Sequence, residues 1–520
     1  MNTHTEPQLS PDKIIVSLQT NMAQLQNENQ QLKQQINWFK QQLFGQKSEK
    51  RLPCDTAQPS LFDTLQPTQE STPKETITYQ RRKSKQRADD CVTEQGLRFD
   101  EQVPVEIIEI PAPELQGEEA EHYEIIDHKI THRLAQRPGS YVVLEYRRPV
   151  VKHKATQALS TPAAPTAVFD NCMADVSVLA GLLIDKFVYH IPLYRQHQRL
   201  QQAGITLSRA TLTNWTQRAI NLLKPIAESQ LEQVLQSKVL AMDETPIKAG
   251  RKQKGKMKST WFWPIYGEKD EMVFTWSNSR GSAHVEQQLN GFKGTLLTDG
   301  YAAYDCFVKN KPEVTLAQCW AHTRRYFFKS LNMETQAAEE AMQWIGKLYK
   351  NEETIQKKQL TGQKKLDYRG KHSKPVVDGF FNWCYEQRQR VDLENSNPLS
   401  KALTYVDNHK EQLCVYLSDP EVAIDTNHLE RTLRVIPMGR KNWLFCWNEV
   451  GAEQVATIQT LLTTCKLQNV NPYHYLVDVL QRINLHPARE VVELTPRYWK
   501  DKFEADPLLS DLARLGKFER

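Results

Sequence analysis

What the chain lacks narrows the field first. Nine cysteines occur, at 54, 91, 172, 306, 319, 384, 414, 446 and 465, and no two stand as C-x-x-C. An odd, scattered set argues against a disulfide framework and against a zinc ribbon, and points to a reducing compartment, the cytoplasm. Zinc is therefore not expected. No apolar run approaches the roughly 18 residues a membrane span needs. The opening MNTHTEPQLSPDK has neither a basic start nor an apolar h-region, so no secretory leader is expected. Net charge is only +5, too mild to define a partner by itself. With 25% charged and 39% hydrophobic residues, disorder is excluded for most of the chain. At 520 residues, roughly two to four structural units are expected.

The strongest periodicity lies at the start. Ile15, Met22, Asn29, Ile36 and Leu43 form one heptad series, and Leu18, Leu25, Leu32 and Phe39 the other. Apolar a and d positions with a lone Asn at a predict a two-stranded coiled coil over 14–45, with Leu18, Leu25, Asn29, Leu32 and Ile36 at the dimer seam. Residues 46–102, rich in Pro, Thr, Gln and Ser in their middle, read as a linker. Residues 103–160 carry short β-type runs around the turn RPGS and predict a small β unit.

From 173 to 235 the pattern is helical. One helix should end near Gly204, and Ser208 is placed to cap a second that turns Leu212, Trp215 and Ala219 inward. That is helix-turn-helix spacing, with Arg209, Thr211, Asn214 and Arg218 on the outer side as candidate DNA contacts. An ordinary helical hairpin would have the same spacing, so the pattern alone does not decide.

Strands take over at 236. KVLAMDETPI, STWFWPIYG and MVFTWS precede a helical AHVEQQLNGF; GTLLTDGYAAY and VTLAQCWAH follow. Three hairpin-linked strands, a helix and two more strands predict an α/β, ribonuclease H-like core, its first part at 236–329 and its second at 419–485. A helical insertion is expected between them at 330–418, and a C-terminal tail at 486–520.

Three acids have comparable settings. Asp243 ends the first core strand, Asp299 ends the fourth before Gly300, and Glu430 sits on the helix after the insertion. In such a sheet the first and fourth strands are neighbours, and a following helix can bring the third acid to them. Close acids repel one another and stay ionised only around cations, and all-oxygen donors select Mg²⁺ or Mn²⁺. Each acid has a plainer reading: a turn cap, a turn before glycine, an ion pair with Arg434. Falling jointly on those elements is harder to explain that way. Glu244 is expected to be merely an exposed neighbour. Lys252, Lys254 and Lys256, in the loop from Lys248 to Lys258, and Arg440 and Lys441 are candidates for phosphate contact.

MDETP, TDGYAAY, CWAHTRRYF and above all NHLERTLRVIPMGRKNWLF, followed by Gly451-Ala452, resemble the insertion sequence 66 family of bacterial transposases. LFGQKSEKR, HIPLYRQHQRL and LSRATLTNW match its pattern too, so the likeness runs from about residue 15 to 485. The resemblance implies a DDE-class enzyme with its triad on Asp243, Asp299 and Glu430, cutting and joining DNA at the terminal repeats of its own element. It also implies a homodimer or higher synaptic oligomer, and accessory proteins of the same element. Cys319-x-x-His322 resembles a motif that follows the second acid in several such enzymes; a packing role is expected, since two residues cannot complete a zinc site. Many members carry a C-x-x-C zinc segment where this chain has Cys91 alone. The alternatives are a nuclease on the same fold and a non-catalytic DNA-binding dimer from a decayed element.

Overall fold

The computed structural model describes Met22, residues 98–99 and residues 103–518, apart from 117–119, 138, 254–255, 310, 444–445 and 447. Met22 is helical, but Leu18, Leu25, Asn29, Leu32 and Ile36 lie outside the described residues. At the far end of the stretch read as linker, Arg98–Phe99 is a short strand paired with Ile205–Thr206.

The small β unit consists of β1 (Val105–Glu109), β2 (Tyr123–Arg137) and β3 (Ser140–His153). β2 and β3 form a hairpin closed at the expected RPGS turn, where Arg137 pairs with Ser140 and Gly139 takes φ +82°. β1 runs parallel to β3 on its other side. One face buries Ala135, Val142, Leu144 and Tyr146. β3 is buried without a break over Tyr141–Leu144 and alternates over Leu144–Arg148, as the middle strand between β1 and β2 can.

Three helices follow: α1 (Val176–Phe187), α2 (Leu193–Gln202) and α3 (Arg209–Val234). The expected stop falls at Gly204, φ +81°, and Ser208 Oγ accepts the Thr211 N–H at 3.0 Å as the cap of α3. Leu212, Trp215 and Ala219 are buried. α3 extends well past the expected pair and keeps its helix through Pro225.

In the central sheet β4 (Val239–Met242), β5 (Thr245–Gln253), β6 (Lys256–Gly267), β7 (Glu271–Ser277), β8 (Gly294–Thr298) and β9 (Val314–Gln318) are joined by α4 (Ser282–Gln288) and α5 (Ala302–Val308). The order is β7-β6-β4-β8-β9, with β5 paired to β6 off that path. The expected first strand is thus two: the chain breaks at Asp243–Glu244, and the second half hairpins onto β6. The supposed loop from Lys248 to Lys258 is therefore largely strand. β4, β8 and β9 are parallel, and the two inner ones, β4 and β8, bury every position but the opening glycine, as strands covered on both faces must. β8 begins at Gly294 because a Cβ there would stand 2.3 Å from the Lys238 carbonyl oxygen.

The helix α6 (Trp320–Ser330) opens a helical stretch containing α7 (Thr335–Lys357), α8 (Lys374–Arg388) and α9 (Pro398–Asn408). Within it, residues 323–351 and 375–408 form a compact unit with its own aromatic core. Phe380 stacks on Trp383 and meets Phe327 edge-on, and Tyr326 stacks on Tyr405 at 4.3 Å. Glu334 accepts from Arg390 and Asn397 and so ties that unit's turns together.

The central sheet is completed by α10 (Asn427–Leu433), α11 (Val435–Trp443), α12 (Glu449–Leu467) and α13 (Pro472–Arg482). α12 covers the β7 edge. Thr464 Oγ1 accepts the Met272 N–H at 3.1 Å and Thr460 Oγ1 the Phe274 N–H at 2.9 Å, so the open edge has no unsatisfied donors there to recruit another strand. The stretch expected as a C-terminal tail, 486–520, carries helices among its described residues. α14 (Pro496–Phe503) buries Trp499, which donates to Asp478 and stands edge-on to Tyr475. In α15 (Asp511–Phe518), Leu512 packs into the small β unit and Asp511 accepts from Tyr146 at 2.7 Å. The Thr495-Pro496 start, with proline at the first helical position, is a helix-initiation signal.

Candidate active site: acids at adjacent strand ends

β4 and β8 lie side by side in parallel, with Leu240 opposite Leu296 and Ala241 opposite Leu297. Both therefore end at one edge of the sheet, and the residues just beyond them, Asp243 and Asp299, come together. Gly300 at φ +84° lets the backbone leave at once, and Asp299 Oδ1 accepts the Tyr301 N–H at 2.9 Å, which fixes the carboxylate at the start of α5. Asp243 Oδ1 accepts the Glu244 N–H at 2.7 Å.

Asp243, Glu244 and Asp299 each offer an oxygen within 4.8 Å of the others. Glu244 is not the exposed neighbour it was expected to be. Its side chain is 3% exposed, because the break before β5 turns it back toward the sheet. It accepts from Arg280 Nε at 2.8 Å and from the buried Tyr304 hydroxyl at 2.9 Å. Glu430, on α10, is not one of the tight three. Its carboxylate faces His322 at 3.4 Å, yet its charge still reaches Asp243.

The crowding is visible in protonation. Burial first, then the charges of Asp299 and Glu244, with a smaller contribution from Glu430, push the Asp243 carboxyl up to about 8. Burial and Asp299 raise Glu244 as well, against the lowering effect of Arg280. Burial and the Glu244 charge push the Tyr304 hydroxyl far up, so it stays a donor. Such a set is relieved by a cation held among the acids. The donors are all oxygen, the set that hard divalent cations favour.

Cys319 and His322 part company. The Cys319 sulfur is buried and accepts from Thr426 N and Oγ1, both at 3.3 Å, tying β9 to the residue before α10. That is the packing role expected; His322 instead stands beside Glu430.

The basic candidates are scattered. Arg209 and Asn214 are exposed on α3. Thr211 joins the cap, its hydroxyl 2.9 Å from Ser208 Oγ. Arg218 lies over the Phe169 ring at 4.2 Å and donates to the Asp170 carbonyl at 3.0 Å. Lys252 and Lys256 are exposed at the tip of the β5–β6 hairpin, and Lys254 lies outside the described residues. Lys441 is exposed, whereas Arg440 donates to the Pro246 carbonyl at 2.6 Å. Glu244, Arg280 and Tyr304 were missed. The signal within reach was the Tyr301/Tyr304 spacing, which sets one ring at the cap and the other in the first turn of α5.

Residues 171–454 match the profile described as Transposase IS66 family, and 460–497 match the IS66 C-terminal element. The chain belongs to the IS66 transposase family. Residues 31–108 match a further profile of that group, Transposase C of IS166 homeodomain. Among curated relatives, an uncharacterized protein y4hP of Sinorhizobium fredii (strain NBRC 101917 / NGR234) is 29% identical over 73% of this chain and 72% of its own. A second from that strain, y4jD, is 30% identical over 65% of this chain and 68% of its own. Among solved structures, a Mos1 transposase paired-end complex with left transposon end matches 34% of this chain and 68% of its own at 12% identity and a TM-score of 0.13, a likeness too slight to weigh. The IS66 profile spans the strand ends and α10 alike, so all three acids fall inside the matched region. Among the described residues, no helix is long and apolar enough to cross a membrane.

Proposed function

We propose that this protein is the transposase of a bacterial insertion sequence, cutting DNA at its element's ends and joining those ends to a target, on a ribonuclease H-like core. The observation that carries the reading is the meeting of Asp243 and Asp299 at the ends of adjacent parallel strands, in a chain of the IS66 family. Asp243, Asp299 and Glu430 are the catalytic acids and would hold the divalent cations. Bound there, the cations supply Lewis-acid activation of the attacking oxygen and charge neutralisation at the leaving one. A water oxygen forms a new bond to phosphorus while the bond to the 3′ oxygen breaks, leaving a 3′-hydroxyl. That hydroxyl then attacks a target phosphodiester in the same in-line way, and a target 3′ oxygen leaves. No covalent enzyme intermediate is needed.

DNA is the partner. Arg209 and Asn214 on α3, Lys252 and Lys256 near the hairpin tip, and Lys441 are exposed and would meet it, and Lys254, outside the described residues, is proposed with them from the sequence alone. Thr211, Arg218 and Arg440 support those surfaces as well as adjoining them. A coiled coil at 14–45 would pair two protomers, so that each takes one element end and synapsis gains from effective concentration. Accessory proteins of the same element would act on this complex.

The test is a labelled duplex carrying the end of the element that encodes the protein, mixed with the full chain and Mg²⁺ or Mn²⁺. Metal-dependent cutting at the element end by the wild type, and none by Asp299→Ala, supports the reading. Cutting without any joined product would make the protein a nuclease. Binding without cutting would leave it a DNA-binding dimer.

A further inference from the structure

Glu244 is the acid that the triad does not use, and both of its oxygens are taken. Oε1 accepts from Arg280, and Oε2 from the buried Tyr304 hydroxyl at 2.9 Å. Arg280 is in turn clamped from two other sides. Its guanidinium lies 3.8 Å from the centre of the Tyr301 ring, and the Tyr301 hydroxyl donates to its backbone carbonyl at 2.8 Å. Tyr301 and Tyr304 stand two and five residues after Asp299, so one six-residue segment carries a triad acid and both rings that hold this arginine and its anchor. A guanidinium has five N–H donors in a fixed fork, and Glu244 engages it only through Nε and Nη2. The Arg280 side chain is 43% exposed, against 3% for Glu244, so the remaining donors are accessible to a ligand entering beside the acids.

We propose that Arg280 is a phosphate-contacting catalytic residue, and that Glu244 is the anchor that aims it and not a metal ligand. This rests on reading the site as one that cuts phosphodiesters. A fixed guanidinium beside the acids would bind a non-bridging oxygen of the scissile phosphate and favour the charge that builds there as phosphorus takes its fifth oxygen. The Glu244 carboxylate and the Tyr301 ring hold it in place before DNA arrives. The arrangement also explains why a fourth acid is tolerated beside Asp243 and Asp299: it arrives already paired with a cation.

The experiment uses the full chain, the labelled element-end duplex and Mn²⁺. Single-turnover cutting, duplex affinity and the Mn²⁺-induced rise in melting temperature are compared for wild type, Arg280→Ala, Arg280→Lys, Glu244→Gln and Asp299→Ala. Arg280→Ala should slow cutting roughly 100-fold, change duplex affinity by less than about 3-fold, and keep the Mn²⁺ shift. Arg280→Lys should recover only part of the rate, since an ammonium cannot reproduce the planar fork. Replacing the scissile phosphate with a neutral methylphosphonate should slow the wild type far more than Arg280→Ala, bringing the two within about 5-fold. A merely structural arginine would not produce that convergence. Glu244→Gln should slow cutting and keep the Mn²⁺ shift that Asp299→Ala loses. Loss of the shift in Glu244→Gln would make Glu244 a ligand and overturn the anchor role. Wild-type cutting with an undiminished rate in a folded Arg280→Ala would overturn the proposal alone. A wild type that takes up Mn²⁺ and cuts nothing would bring down the underlying reading and the proposal with it.

Discussion

The acidic and the basic groups of this protein are held in place by different means. Asp243 and Asp299 owe their meeting to backbone: two parallel strands in register, each ending one residue before its acid. The basic side chains owe their places to individual contacts, and those contacts divide them. Arg218 is committed to Phe169 and Asp170, and Arg440 to Pro246, while Lys252, Lys256 and Lys441 are exposed, as is Arg209, whose one ring contact is a distant 6.0 Å from the Tyr194 centre. Topology converges charges that a sequence separates by dozens of residues. Side-chain packing decides which cations remain available for a partner.

The comparison breaks most visibly at Asp243. Asp243→Asn should lower cutting by roughly 10²–10³-fold or more and abolish the Mn²⁺-induced melting shift, with the fold intact by circular dichroism. A variant that still cuts would mean that the strand ends converge for some other purpose.

The same residue makes a second, opposite prediction without metal. Its carboxyl is raised from an ordinary 3.8 to about 8, so the folded state holds a proton that the unfolded state releases. The resulting stability is complete below about 4 and is lost as pH rises toward 8. In EDTA, calorimetry should therefore find the wild type less stable at pH 8 than at pH 5.5, by about 3 kcal/mol from this group. Asp243→Asn should flatten that dependence and melt higher than wild type at pH 8. Added Mn²⁺ should reverse the wild-type trend, because it favours the ionised form. An unchanged slope in the variant would show that burial of Asp243 is not what opposes its ionisation.

What could be read from the sequence follows the same division. The acids were legible because VLAM and GTLLT are short apolar runs that end in acid, and strand order makes them neighbours. The Gly204 stop and the Ser208 cap were legible because both are local chemistry. Glu244 was not, since its direction depends on the break that splits the run into β4 and β5, and nothing in MDETP announces that turn. The packing of the ending at 486–520 was not legible, because Trp499 meets Tyr475 and Leu512 meets Tyr146 through tertiary contacts that no local pattern announces. The seam residues of 14–45 remain an expectation from their heptads.

The basic side of the comparison can be sharpened with a pair of arginines on one helix. Arg218→Ala removes a ring contact and a hydrogen bond to the Phe169–Asp170 turn, and should lower stability by about 1–2 kcal/mol in urea titrations. Arg209→Ala, exposed, should leave the midpoint within about 0.5 kcal/mol and act on duplex affinity instead. If both change affinity alone, the Phe169 contact is incidental and α3 presents its arginines alike.

The smallest effects belong to the hairpin tip. Lys252→Ala and Lys256→Ala remove exposed cations with no packing to lose, so stability should not move. If both lie along a phosphate backbone, each should weaken duplex binding several-fold, equally for element-end and unrelated sequences. Each should also reduce the slope of log affinity against log salt by about 1. The salt slope is the discriminating quantity, because a lysine acting through the hairpin's shape would change affinity without releasing a counterion. A loss confined to the element-end sequence would instead place the hairpin tip against base edges, and would move specificity from α3 to the β5–β6 finger.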